Sequence, residues 1–374
     1  MLRALFAFAA LCASASVFAQ TPTLPPLSAR SWLLLDVTAN HLIAATNPDE
    51  RVEPASLTKL LTAYVVFGAI KDSKLAKDQA IPVSEKAWKT GGSKMFIEPN
   101  RKVTVEELMH GMIVQSGNDA SVALAEALAG SEEAFAQRMN DAAKRLGLKN
   151  SSFANSSGLP DAKHYSTAYD IALVATAIIR EFPEFYPMYA MKEYRYNNIS
   201  QPNRNRLLWL DPNVDGVKTG HTEKAGYCLV ASARRGERRL LSVVMGTASD
   251  TVRAQESQAL LNFGFQFYDT VRVHEKGKEI SKVRLWKGAE NEIAVGVDTS
   301  VFVAIPRGSN DKIKAELVTQ QPIVAPVAKG QKLGAIKVSY DGRPMSEYPV
   351  VALQDVGPAN FFGRAWDAVR LWIR

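Results

Sequence analysis

Cysteine is nearly missing from this chain: there are two, and Cys12 falls in an N-terminal apolar run that reads as a leader, leaving Cys228 alone beyond it. A single thiol excludes an intramolecular disulfide and, in an exported protein, reads as a small buried strand residue. The five histidines are scattered and form no zinc-type cluster with cysteine, so neither a metal nor another cofactor is implied. After the leader there is no apolar run long enough to span a bilayer, which excludes a transmembrane signalling segment. A large excess of one charge is missing too. Lys and Arg number 45 against 38 acidic residues, and loss of Arg3 with the leader leaves a net charge near +6. On an exported protein that mild excess suits an anionic envelope surface, and nucleic acid is not an expected partner.

The leader itself is Met1-Leu2-Arg3, the apolar run Ala4 to Val17, and Val17-Phe18-Ala19 before Gln20. One positive charge, an apolar stretch and a small-residue cleavage site predict a signal peptide over 1–19. Leu11 stands where a lipidated cysteine wants a small residue before it, so Cys12 is not read as a lipid site. Residues 20–29, rich in Pro, Thr and Ser, read as a linker.

Residues 30–268 carry strands, then helices, then strands and a helix. Trp32–Val37 and His41–Ala45 predict a hairpin, and a helix is expected from about Ala55 to Ile70. Residues 71–100 are polar and turn-rich. Helical periodicity follows at 105–114, 119–128, 131–146 and 167–181, with a loop at 150–163. Gly226–Ala233 and Leu240–Gly246 predict a second hairpin, and Arg253–Phe263 a closing helix. The fold class is therefore α+β, an antiparallel sheet with helices. From 269 to 356 short alternating runs punctuated by Gly, Pro and Asn predict a separate small all-β sandwich. The segment 357–374 ends in a helix with Phe362, Trp366, Val369 and Ile373 on one face and Arg364, Asp367 and Arg370 mainly elsewhere. Too short and too charged to cross a bilayer, it is expected to lie in the membrane interface.

Three short motifs carry chemistry. Glu53-Pro54-Ala55-Ser56-Leu57-Thr58-Lys59 places a serine in the first turn of a helix and a lysine one turn on, on the same face. A desolvated lysine can serve as base for that serine, and a helix start offers free N–H groups to an oxyanion. Ser116-Gly117-Asn118 follows a helix and adds a second hydroxyl for proton relay and an amide to hold a substrate carbonyl or steady the lysine. Lys218-Thr219-Gly220, followed by His221, lies on a strand that can pair with an extended peptide and hold its terminal carboxylate. Gly220 leaves room for close backbone approach. Two of the motifs recur: Ser309-Asn310-Asp311-Lys312 falls in a turn of the β-rich region, and Lys89-Thr90-Gly91 precedes Ser116 and leads into no hairpin. Neither is taken as functional.

In this order the three motifs resemble those of the low-molecular-mass penicillin-binding proteins, the serine D-alanyl-D-alanine carboxypeptidases that trim peptidoglycan. The resemblance covers the mature chain, including Asp215-Gly216-Val217-Lys218-Thr219-Gly220-His221-Thr222, the later β domain and the amphipathic end. It implies a DD-peptidase-like catalytic domain and an acyl-enzyme mechanism. Ser56 would be the nucleophile, Lys59 its base and Ser116 the relay to the leaving amine. Asn118, Lys218, Thr219 and Gly220 would bind substrate, Lys218 and Thr219 at its carboxylate. The N–H groups of Ser56 and His221 would form the oxyanion hole, and Arg253 would add positive charge. The implied partners are the stem pentapeptide, β-lactams and the periplasmic face of the inner membrane. A DD-endopeptidase uses the same motifs and is the alternative. A class A β-lactamase needs Glu-x-x-Leu-Asn, whose nearest match, Glu193-Tyr194-Arg195-Tyr196-Asn197, has Tyr for Leu and lies too close to Lys218. A β-lactam sensor would carry a transmembrane segment.

Overall fold

The computed structural model describes residues 24, 26–99 and 101–373. The predicted signal peptide lies outside the described residues. The end of the predicted linker is fastened to the long helix Asp250–Phe267. Ser28 donates from both N and Oγ to Glu256 Oε1, each at 2.6 Å, Ala29 N donates to Oε2, and Leu24 and Leu27 pack on the core beside them. An apolar pair and two satisfied N–H groups hold that stretch down.

Five antiparallel strands form the central sheet: β1 (Ser31–Asp36), β2 (His41–Thr46), β3 (Val214–Thr222), β4 (Gly226–Arg235) and β5 (Arg238–Thr247), in the order β2-β1-β5-β4-β3. Alternation of side chains decides its two faces. Leu33, Leu35, Val230, Leu241 and Val243 point into a helical block. Leu34, Leu229, Ala231, Leu240 and Val244 point to the other side, against Leu260 and Leu261 of a long helix, Asp250–Phe267. Each fully buried leucine contributes roughly 1.5–3 kcal/mol, so both faces are held firmly. The strand β3 is left at the sheet edge.

The helical block comprises α1 (Lys59–Lys71), α2 (Val105–Val114), α3 (Asn118–Ala129), α4 (Glu132–Arg145) and α5 (Ala168–Glu181). Its starts are written locally. Thr104 and Glu107 form a capping box on α2, while Ser131 and Thr167 accept the N–H groups of Ala134 and Asp170. The 71–100 stretch is more ordered than its composition suggests. Ala80–Pro82 pairs with Lys102–Thr104, and Glu85–Lys89 is a helical turn capped by Ser84.

The β-rich region has its own core, in which Val271, Val301 and Ile305 of a two-stranded sheet face Ile293, Ile336 and Val350 of a six-stranded one. The final helix, Phe361–Trp372, is capped by Asn360 and touches this region through its polar side. Asp367 Oδ2 accepts the Lys287 N–H at 2.6 Å, and Arg370 sits 6.0 Å from the Trp286 ring. Its apolar side is bare, with Phe362 81% and Trp366 65% exposed. Among the described residues no helix is long and apolar enough to cross a membrane.

Candidate active site

After Pro54 the chain makes one turn of 3-10 helix, Ala55–Thr58, before α1 begins at Lys59. The expected α-helical first turn is thus 3-10, which sharpens the geometry. With three residues per turn, positions i and i+3 eclipse, and Lys59 Nζ lies 2.9 Å from Ser56 Oγ. Ala55 holds φ 46° to make this turn, a left-handed conformation that costs a residue with a Cβ roughly 1–2 kcal/mol.

Lys59 is 1% exposed. Its three donors are all used: on Ser56 Oγ, on Asn118 Oδ1 at 2.6 Å and on Ser157 O at 2.7 Å. The Ser157 carbonyl reaches the lysine because the next residue is glycine. Gly158 has φ 84°, and a Cβ there would fall 1.8 Å from Ala55 O. Burial, then the charge of Arg204, pulls the Lys59 pKa down to about 7, against the opposing pull of Asp119 and Glu132. A sizeable fraction of free amine near neutral pH is what a general base requires.

Ser116, 2% exposed, is held at φ 63°. Its hydroxyl meets Lys218 rather than Lys59, with Lys218 Nζ donating to Ser116 Oγ at 2.9 Å and to Thr219 O at 3.0 Å. The register explains this. Lys218 pairs with Val230, whose side chain enters the helical core, so the amine is carried toward Ser116. Burial, followed by Lys59, Arg204 and Arg253, pushes the Lys218 pKa well below its ordinary value. The lysine expected at the substrate carboxylate therefore lies behind the cavity wall.

A cavity of about 820 Å³ opens over Ser56. Ser116, Thr219, Gly220 and His221 line it, while Lys59, Asn118 and Lys218 support it from behind. The cations on its surface are Arg204, Arg206 and Arg253. Arg253 also donates to Gly220 O at 3.1 Å. At Gly220 a Cβ would lie 3.1 Å from Pro54 O and 3.3 Å from Ala55 Cβ, so the glycine lets the nucleophile turn pack closely on the strand. The His221 ring lies tilted against Tyr227, with centroids 4.0 Å apart, and among the described residues it hydrogen-bonds to no carboxylate, so no Ser-His-Asp triad forms among them.

Two walls were not foreseen. The first is Gly91–Ile97. Gly91 O accepts Asn118 Nδ2, Ser93 O accepts Asn118 N, both at 2.7 Å, and the buried Asp119 carboxylate collects the N–H groups of Met95, Phe96 and Ile97. The discarded Lys89-Thr90-Gly91 motif thus ends at the site, through one backbone carbonyl. The second is the hairpin Glu193–Tyr196 and Ile199–Pro202, followed by Asn203 and Arg204. Its signal was present: Asn197-Asn198, at φ 47° and 61°, between aromatic and β-branched residues.

A buried lysine on a serine, beside an edge strand and a cation-lined cavity, is the equipment of an acylating peptidase. Residues 18–249 match the family model described as D-alanyl-D-alanine carboxypeptidase. The chain belongs to that family. Residues 268–358 match the C-terminal domain of penicillin-binding protein 5, which accounts for the separate β-rich core. Among relatives of this carboxypeptidase family, the D-alanyl-D-alanine carboxypeptidase DacC of Escherichia coli (strain K12) is 42% identical, over 94% of this chain and 90% of its own. The DacA enzyme of Haemophilus influenzae is 41% identical over 96% of this chain and 92% of its own. The crystal structure of penicillin-binding protein 5 from H. influenzae superposes with a TM-score of 0.85 at 42% identity, covering 90% of this chain and 99% of that one. Penicillin-binding protein D2 of Listeria monocytogenes, solved in an ampicillin-bound form, gives a TM-score of 0.60 at 29% identity, over 66% of this chain and all of that one. This carboxypeptidase is thus a serine-type peptidase with a second, β-rich domain.

Proposed function

We propose that this chain is exported and removes the terminal D-alanine from peptidoglycan stem pentapeptides through an acyl-enzyme on Ser56. The observation that carries this is the buried Lys59 amine, 2.9 Å from Ser56 Oγ and with its pKa drawn down to about 7. The peptide pairs with the free edge of β3, and its terminal carboxylate meets Thr219 with the guanidinium groups of Arg204 and Arg253. Ser56 Oγ forms a bond to the penultimate D-alanine carbonyl carbon as Lys59 takes its proton. The carbonyl electrons move to oxygen, held by the N–H groups of Ser56 and His221. The C–N bond then breaks, and the departing amine receives a proton from Ser116, which is reprotonated through Lys218 by the proton that Lys59 took, so that Lys59 is neutral again. Asn118 holds Lys59 in place. Water next adds to the ester as the neutral Lys59 accepts its proton; the ester C–O bond breaks, Lys59 returns that proton to Ser56 Oγ, and the shortened peptide leaves. A β-lactam acylates the same oxygen, and its leaving amine stays tethered to the acyl group.

Release of D-alanine from a peptide ending in D-Ala-D-Ala tests the reaction. The wild-type chain releases it and Ser56→Ala does not. Absence of release by the wild type, or full activity in the variant, sinks the reading.

The domain division we propose is a leader over 1–19, a linker over 20–29, a catalytic domain over 30–268, a β domain over 269–356 and an anchoring segment over 357–374. The bare apolar side of the last helix supports peripheral attachment to the outer face of the inner membrane. Deleting residues 361–374 frees the protein from membranes with peptidase activity retained; continued pelleting refutes the anchor.

A further inference from the structure

The loop 150–165 gives Lys59 one of its three acceptors, and the chain fastens that loop to the nucleophile turn at one side chain. His164 is 3% exposed and packs edge-on against Phe153, with ring centroids 5.6 Å apart. Ala154 N–H donates to its Nδ1 at 3.3 Å. The ring proton therefore sits on Nε2, which donates to Thr58 Oγ1 at 2.8 Å. Thr58, fully buried, lies between Ser56 and Lys59 on the 3-10 turn. On the other side of the same loop, Ser157 O accepts from Lys59 and Ser156 O accepts from Thr62 Oγ1 at 2.6 Å. Asn155 Oδ1 gathers the N–H groups of Ser157 and Gly158. His164 thus closes a ring of contacts: nucleophile turn, imidazole, loop, lysine.

We propose that His164 is a positioning residue, a neutral strap that holds the Ser157 carbonyl on Lys59 and keeps water away from that amine. Its own surroundings hold it uncharged. Burial draws its pKa down to about 4, against the pull of Asp161, Glu53 and Glu132 and with the push of Lys59. The strap thus stays in one protonation state across the working range. The inference rests on Lys59 acting as the base.

The consequence for pH follows from what faces Lys59. Ser56 and Thr58 lie below it on the turn, and Asn118 and Asp119 come from α3. Glu132 comes from α4, Ser157 from the loop, Lys218 from β3 and Arg204 from the segment after the hairpin. Burial is the largest of these influences. When the strap is cut, the loop loosens and water reaches the amine. The lost Ser157 contact lowers the amine's pKa, the gained hydration raises it, and hydration, acting on the larger influence, wins. The base is then protonated at neutral pH, and Ser56 loses its proton acceptor.

The test is the acylation rate by a fluorescent penicillin between pH 5 and 9, per labelled active site, with melting temperature followed in parallel. Wild type rises to a plateau through about pH 7. His164→Ala moves that limb upward by about one unit and slows acylation at pH 7 about tenfold. His164→Gln, whose amide still donates to Thr58, keeps the limb within about 0.3 units of wild type. Thr58→Val cuts the strap at its other end with little change of volume, moves the limb the same way and covers the case of a poorly folded His164→Ala. A limb unmoved in Thr58→Val, or moved as far by Gln as by Ala, overturns the strap; a purely structural histidine would lower only the melting temperature and the count of active sites. Failure of the base reading looks different, since Lys59→Ala would then be acylated at the wild-type rate.

Discussion

The pattern Ser-x-x-Lys occurs twice in this molecule, at Ser56 and at Ser309, and both copies sit at a turn of 3-10 helix. Only their surroundings differ. Lys59 is 1% exposed and surrounded by three acceptors, whereas the Lys312 side chain is 46% exposed and faces Asp341 across 3.8 Å. Such an exposed pair is worth about 0–1 kcal/mol and leaves the ammonium in water. The hydroxyls differ as well. Ser309 Oγ donates to the Pro306 carbonyl and accepts from Tyr340, and among the described residues it hydrogen-bonds to no amine. Ser56 Oγ meets an amine and opens onto a cavity. Reactivity here comes from a dry, crowded neighbour, and the four-letter pattern supplies only the spacing.

The sharpest way to break this comparison is to remove each serine. Ser56→Ala lowers D-alanine release by about 10⁴-fold or more and abolishes covalent penicillin labelling. Ser309→Ala stays within about twofold, as a surface change away from the site should. Labelling that survives in the first variant, or disappears in a folded second one, reverses the assignment.

A second difference is thermodynamic. Lys59 has a folded pKa of about 7 against an ordinary value of 10.5. Between those values the unfolded chain carries a proton that the folded chain lacks, so the contribution of this residue to stability rises with pH. Below pH 7 its burial costs the most. Unfolding free energies of wild type and Lys59→Met, measured in denaturant at pH 7 and pH 9.5, should therefore diverge, with wild type gaining on the order of 3 kcal/mol relative to the variant. Lys218, displaced the same way, is present in both proteins. A gap that does not change with pH means that Lys59 is not held deprotonated.

How much of this could be read from residues alone differs by region for physical reasons. The strands follow from the apolar runs at Leu33-Leu34-Leu35 and in β4 and β5, and the helices from apolar periodicity with acidic starts such as Glu106 and Glu107; which face each buried side chain takes does not. The three motifs were legible because their spacing is local. What could not be read is which groups meet across the chain. Nothing local to Ser116 tells that its hydroxyl faces Lys218, 102 residues on. The sequence likewise does not reveal that Ser157 and Gly91 lend carbonyls to the site, since every residue has one. Arg204 is hidden for the opposite reason: it is one arginine among many, brought to the cavity by the hairpin that ends at Pro202.

The repeated Lys-Thr-Gly motif offers the finest contrast, because Gly91 and Gly92 are neighbours with different duties. Gly92 has φ 80°, and a Cβ there would lie 2.6 Å from Asn118 Nδ2, the amide that steadies Lys59. Gly92→Ala combines backbone strain with a push on that amide, and penicillin acylation should slow about tenfold. Gly91 contributes only its carbonyl, and a Cβ there would meet nothing within 4 Å. Gly91→Ala leaves the Asn118 contact intact, so acylation should stay within about twofold. Equal slowing in the two variants would mean that the loop acts as a whole through its flexibility; equal tolerance would mean that Asn118 is free to move without consequence. Only unequal effects fit a site in which this loop serves the lysine by one carbonyl, from Gly91, and one gap, at Gly92.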